Sequence, residues 1–179
     1  MFVIKKKLLV VVDYQNDFVN GSLGFDGAEK LDDRICEKLH AYYKNGDDVV
    51  LTLDTHEQMY LMTVEGRHLP VKHCIRGTAG HNLYGRVGKL AADSTVLYKN
   101  TFGCAALGDY LRDKDYSSIE LVGLVSNMCV AANAIICKTF SPDSEIIIDA
   151  ACTDSPDKET QKKCFDVLRA MHIEVKNID

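Results

Sequence analysis

Residues 8–12 of this chain, LLVVV, form an unbroken apolar run that stops abruptly at Asp13. The figure recurs. Residues 48–53 run up to Asp54, residues 95–98 run up to Lys99, and residues 118–124 lead into a short turn. Residues 145–149 repeat it, and 173–175 are a short last copy. Between these runs the apolar residues take helical spacing: Leu31, Ile35, Leu39 and Tyr42 within 28–44, then Leu107, Tyr110 and Leu111 within 104–112. An Ala- and Ile-rich helix follows at 129–140, and Cys164, Leu168 and Met171 share one face of a last helix. Strands that are apolar throughout need cover on both faces, and helices between successive strands make those strands parallel. The pattern predicts an α/β fold: a single-domain parallel β-sheet of about six strands, covered by helices on both faces, with right-handed crossovers.

The punctuation agrees. Asn45-Gly46 stops the first helix, and Ser155-Pro156 reads as an N-cap with a first-turn proline before the last. Residues 55–94 break the rhythm and carry no predicted element; a loop that long in a compact domain is usually functional. With 179 residues and no linker, one domain over 1–179 is expected. The net charge of -5 offers no attraction to nucleic acid or an anionic membrane, and no apolar run is long enough to span a bilayer. The start, MFVIKKKLLVVVDYQ, superficially resembles a signal peptide, but its apolar run is short and meets Asp13 without a small-residue cleavage site. A first strand in a cytoplasmic protein is expected instead. Seven cysteines, an odd number with no CxxC pair, argue against a disulfide framework or a Cys-rich zinc cluster.

In open parallel sheets ligands bind at the carboxyl ends of the strands. Asp13, Asp54, Lys99 and the turn before Cys129 all fall at that edge. Singly, an Asp there is often a cap, a Lys is solvated and a Cys is packing; their coincidence points to chemistry. Cys129 is expected in the first turn of a helix, where the dipole and unpaired N–H groups favour a thiolate, with the Lys99 ammonium favouring it further. Asp13 can then accept the thiol proton and return it to a leaving amine. Backbone N–H groups of the same turn can hold an oxyanion. This is a set for acyl transfer that needs no histidine base.

A second constellation lies in the irregular stretch. Asp54 and His56 sit at i and i+2 on a strand end, and Glu65, His68 and His73 follow. Together they can form a mixed N/O set for Zn²⁺, Mn²⁺ or Fe²⁺; the alternative is a polar loop with scattered histidines. His40, His81 and His172 are given no role. No GxGxxG, GxxxxGK[ST] or GxSxG motif occurs.

LLVVVDYQNDF, LTLDTH, LPVKHCIRGTAG, YKNTFG, LVGLVSNMCVAANAI and IDAACTD fall in order between residues 8 and 154. They resemble the motifs of the nicotinamidase and isochorismatase-like cysteine hydrolases, with the second and third closest to the nicotinamidase branch. The resemblance implies Asp13 as base, Lys99 as its partner and Cys129 as nucleophile. It implies a cis peptide at Leu124–Val125 and an oxyanion hole from the N–H groups of Val125 and Cys129. It implies a metal, most simply zinc, on Asp54, His56 and His73 with a variable loop ligand, for which Glu65 fits before His68. The implied reaction is hydrolysis of nicotinamide to nicotinate and ammonia, with the metal taking the pyridine nitrogen. Hydrolysis of another small amide, ureide or N-carbamoyl compound is the alternative; a non-catalytic thiol protein or a structural zinc protein lies further off. Two departures stand out. Asn127 occupies a position that is often Asp, and Pro70 stands where the branch often has a substrate-stacking Trp. Phe18, Tyr60 and Phe102 are the candidate substrate-binding aromatics. Relatives are commonly oligomeric, so a homo-oligomer is expected.

Overall fold

The computed structural model describes residues 5–178; residues 1–4, the beginning of the N-terminal stretch read above, and Asp179 lie outside them. Six strands form one sheet: β1 (Lys7–Val12), β2 (Asp48–Asp54), β3 (Thr95–Lys99), β4 (Ser118–Leu124), β5 (Glu145–Asp154) and β6 (Glu174–Lys176). Their order is β3-β2-β1-β4-β5-β6, and every pairing is parallel. The helices are α1 (Asn16–Val19), α2 (Leu31–Asn45), α3 (Val64–His68), α4 (Val87–Leu90), α5 (Ala105–Leu111), α6 (Ala131–Phe140) and α7 (Lys158–Ala170). None of them is long and apolar enough to cross a membrane.

Strand β1 shows why the sheet needs two covers. Leu8, Val10 and Val12 enter a core with Leu107 and Leu111 of α5, Ala134 and Cys137 of α6, and Phe165 and Leu168 of α7. Leu9 and Val11 enter a second core with Phe18 of α1, Ile35 and Leu39 of α2 and Val87 of α4. Alternation along the strand sends successive side chains to opposite faces, and all five are fully buried. Helix α2 ends as expected, at Gly46 in the left-handed conformation (φ 74°).

The strand order reverses between β1 and β4, so the two flanking chains diverge there and leave a crevice at their carboxyl ends. Register sets what enters it. Val12 pairs with Thr52 and with Gly123, and Asp54 pairs with Lys99. Gly123 has φ 108°, and a Cβ there would lie 2.0 Å from the Val12 carbonyl oxygen. Only glycine lets β4 approach the end of β1 this closely.

Three local expectations are corrected. Strand β5 continues to Asp154 rather than ending at Asp149, with a register irregularity against β4 between Leu121 and Gly123. Helix α7 is capped by Asp157, whose side chain accepts from Thr160 N at 2.9 Å, and not by Ser155. The Ser155 hydroxyl instead accepts from Asp157 N in the turn before the helix. Residues 55–94 hold short elements, including α3 and α4. Thr63 caps α3 through Gly66 N, and its single turn is too brief for periodicity to reveal. The stretch doubles back on β2: His56 N donates to Cys74 O and Arg76 N to His56 O, which brings His73 beside His56.

Candidate active site

Asp13, Lys99 and Cys129 meet at the crevice. Lys99 Nζ lies 2.7 Å from Asp13 Oδ2 and 3.5 Å from Cys129 Sγ. It also donates to Thr101 O at 2.8 Å. Asp13 adopts φ 46°, a conformation Asp tolerates better than most residues. The Thr52 hydroxyl donates to Asp13 Oδ1 at 2.7 Å, so the carboxylate is held from both sides. Asp13 is fully buried and Lys99 and Cys129 nearly so.

The local setting of the thiol differs from expectation. Cys129 lies in a π-turn, Ser126–Val130, that precedes α6, and not in the first turn of a regular helix. Burial pushes its pKa well up, Asp13 adds to this, and Lys99 opposes without prevailing. Burial thus works against the thiolate that a helix position alone would favour. Burial also raises the pKa of Asp13, helped by Asp54 and opposed by Lys99. For Lys99 burial alone would favour the neutral amine, but Asp13, Cys129 and Asp54 outweigh it and keep the ammonium charged.

Asp54 joins this centre to a second one. Its Oδ1 lies 3.4 Å from Lys99 Nζ, while its Oδ2 lies 2.9 Å from His56 Nε2 and 3.3 Å from His73 Nε2. Glu65 Oε1, presented by α3, is 3.6 and 3.7 Å from the same two nitrogens. Ligand atoms of Asp54, His56, Glu65 and His73 all fall within 4.8 Å of one another. His68 is exposed and stands outside the set, which Glu65 joins. His73 Nδ1 donates to Val71 O at 2.8 Å, which turns Nε2 inward. Burial lowers the pKa of His73, but Asp54, the Val71 carbonyl and Glu65 raise it further than burial lowers it. The field that draws a proton there would equally draw a cation. Two carboxylates and two imidazoles form a donor set that fits a divalent metal.

A cavity of about 300 Å³ lies against Cys129 and is lined also by Phe18, Lys99, Phe102, Val125, Asn127, Glu65 and His73. The Phe18 ring sits 5.6 Å from that of His73, and Phe102 is half exposed at the rim. Tyr60 is placed differently. Its ring packs 4.7 Å from His56 and 4.9 Å from His73, its hydroxyl donates to Leu69 O, and it borders an outer cleft rather than this cavity. The peptide Leu124–Val125 is cis. Val125 N–H has no hydrogen-bond partner among the described residues, and the turn carries Cys129 N–H four residues on.

Several contributors carry no sequence signal of their own. Asn133 is buried and donates to Cys129 O at 2.8 Å and Phe102 O at 3.2 Å, while accepting from Cys104 N at 2.9 Å. It thereby ties the turn that carries Cys129 to the loop after Lys99. Ser126 is held by Thr153 at 3.0 Å and by Gln161 at 2.8 Å, which anchors the same turn to β5 and α7. Gln15 bonds both the N–H and the C=O of Asp54. Its place in the D-x-Q stretch was the one available hint.

Residues 7–178 match the isochorismatase domain family model. The isochorismatase family protein PncA of Bacillus subtilis is 31% identical over 142 residues, covering 73% of this chain and 77% of that protein. A nicotinamidase of Acinetobacter baylyi is 25% identical over 173 residues, covering 79% of each. Among solved structures, the nicotinamidase/pyrazinamidase PncA of B. subtilis superposes with a TM-score of 0.85 at 28% identity, over 96% of this chain and all of the other.

Proposed function

The chain belongs to the isochorismatase family, and from that premise we propose that it is an amidohydrolase that cleaves nicotinamide to nicotinate and ammonia. The observation that carries this reading is the Lys99 ammonium, 2.7 Å from the buried Asp13 carboxylate and 3.5 Å from the Cys129 sulfur at one end of a cavity. As Cys129 Sγ forms a bond to the amide carbon, its proton passes to Asp13. The carbonyl oxygen gains charge and is met by the N–H groups of Val125 and Cys129. Asp13 gives the proton to the nitrogen as the C–N bond breaks, and ammonia leaves a thioester. Asp13 then takes a proton from water whose oxygen attacks the thioester carbon, and the proton returns to sulfur as the acid departs. Lys99 holds Asp13 in place and favours its ionised form, and Thr52 fixes the other carboxylate oxygen.

Asp54, His56, Glu65 and His73 would hold a divalent metal, zinc by preference, which when bound supplies a Lewis acid for a ring nitrogen. Phe18, against the His73 ring, is the aromatic best placed to pack on that ring; Phe102 closes the rim and Tyr60 backs the histidines. The alternative, another small amide, ureide or N-carbamoyl substrate on the same three residues, is favoured by Pro70 standing where a stacking Trp is often found.

Hydroxylamine tests the thioester directly. Wild-type protein supplied with Zn²⁺, nicotinamide and hydroxylamine should yield the hydroxamate of nicotinate, and Cys129→Ala should yield none. Hydroxamate formed by the variant, or acid formed by the wild type with no trapping at any hydroxylamine concentration, would contradict a Cys129 acyl intermediate.

A further inference from the structure

Two hollows meet at the active site. The inner one, about 300 Å³, holds Cys129; the outer, about 980 Å³, opens to solvent. They share Glu65, Leu69, Lys99, Thr101, Phe102 and Met128, so one begins where the other ends. The outer walls carry Met59, Val64, Tyr98, Phe102 and Met128, each between 48% and 67% exposed. Glu57, His68 and Arg76 also line it, but a concave and mainly apolar patch that adjoins the Cys129 cavity has the character of a binding surface.

The chemistry decides which end of a substrate reaches that surface. The departing nitrogen must take its proton from Asp13, which is fully buried and enclosed by Thr52, Lys99 and Cys129. A nitrogen aimed at Asp13 points into this wall, and a substituent on it would collide with these side chains. The open side of the Cys129 cavity leads past Phe102 and Met128 into the outer cleft, and the acyl side is the one with room to extend there. We infer that, besides nicotinamide, the site takes primary amides whose acyl ring carries an apolar extension lying in the outer cleft. This rests on the amidohydrolase reading above. Because the nitrogen side is walled and the acyl side is open, the site selects against N-substituted amides while accepting acyl groups larger than a single ring.

The probes are nicotinamide, 5-phenylnicotinamide and the N-methyl amide of nicotinate. Binding is measured by calorimetry on zinc-supplied Cys129→Ala, and turnover on the wild type. The phenyl compound should bind about tenfold tighter than nicotinamide, the gain from burying one more ring. Met59→Ser/Val64→Ser, both exposed positions, should remove that gain and leave nicotinamide binding and turnover unchanged. The N-methyl amide should bind at least about tenfold more weakly than nicotinamide. The inference is overturned if the phenyl group brings no gain, if the gain survives the double substitution, or if the N-methyl amide binds as well as nicotinamide. It is also overturned if sedimentation shows the double variant dissociating an oligomer while the phenyl gain is absent, since a second copy then covers the cleft. Failure of every amide to turn over would sink the reaction; the binding measurements would still decide the cleft.

Discussion

Two clusters of buried charge flank the same sheet and do opposite things. Under α2, Glu120 Oε1 receives Lys38 and Lys176, each at 2.6 Å, and Oε2 receives the Tyr42 hydroxyl at 2.7 Å. Asp149 Oδ2 receives Lys38 at 2.6 Å, and its Oδ1 receives Ala151 N and Asn177 Nδ2. Two carboxylates face two ammoniums, and each carboxylate oxygen has a donor. At the carboxyl edge two carboxylates, Asp13 and Asp54, share one ammonium, Lys99, while a third, Glu65, faces two imidazoles, and the Cys129 thiol lies beside them. One cluster is saturated and closed; the other is short of positive charge and borders a cavity. Burial of charge therefore does not mark function here. What marks it is charge left unbalanced where a ligand can reach it.

The predictions follow from that contrast. The largest effect falls at the open cluster: Asp13→Asn should lower kcat/KM by about 10²–10⁴-fold, the usual yield of a proton-transfer group, while the circular dichroism spectrum stays native. Glu120→Ala inverts this. Leaving Lys38 and Lys176 without their carboxylate should cost about 3–5 kcal/mol in urea unfolding, with kcat/KM of the folded protein within about twofold of wild type. A loss of activity comparable to that of Asp13→Asn would break the comparison. Asn133→Ala lies between the two. It should cost about 1–3 kcal/mol from its lost buried bonds and lower kcat with KM unchanged, because the residue positions Cys129 without touching substrate.

The smallest effect is a matter of pH. Burial works against ionisation of Glu120 and Asp149, yet Lys176, Lys38 and Tyr42 outweigh it for the first, and Lys38 and Asn177 for the second. Both carboxyls are thus held below their ordinary range. A folded pKa below the unfolded one contributes stability above the unfolded value, about 4, and that contribution is lost as pH falls through the folded value. The melting temperature should accordingly drop as pH goes below about 4, and Glu120→Gln should flatten that drop.

Much of this arrangement was legible in the chain, for a physical reason. Asp13, Asp54 and Lys99 each end an apolar run, and a parallel sheet collects strand ends at one edge. The Asp54–His56 pair was legible because i and i+2 on a strand end point the same way. Thr52 and Asn133 were not, since a threonine in a strand and an asparagine in a helix are ordinary; only the fold shows that they hold Asp13 and Cys129. The opposing pull of burial on the thiol was not legible, because helix position can be seen in a sequence and full burial cannot. Ser-Pro is a common helix start and points to Ser155 as the cap of α7, whereas Asp157 offers the stronger acceptor two residues later.

The most direct test of the account is ammonia release from nicotinamide, with wild type and Cys129→Ala, each with added Zn²⁺ or Mn²⁺ and after chelation. Release by the metal-supplied wild type, none by the variant, and a raised KM after chelation are expected. No release by the wild type with any metal, or release that persists in Cys129→Ala, would contradict it.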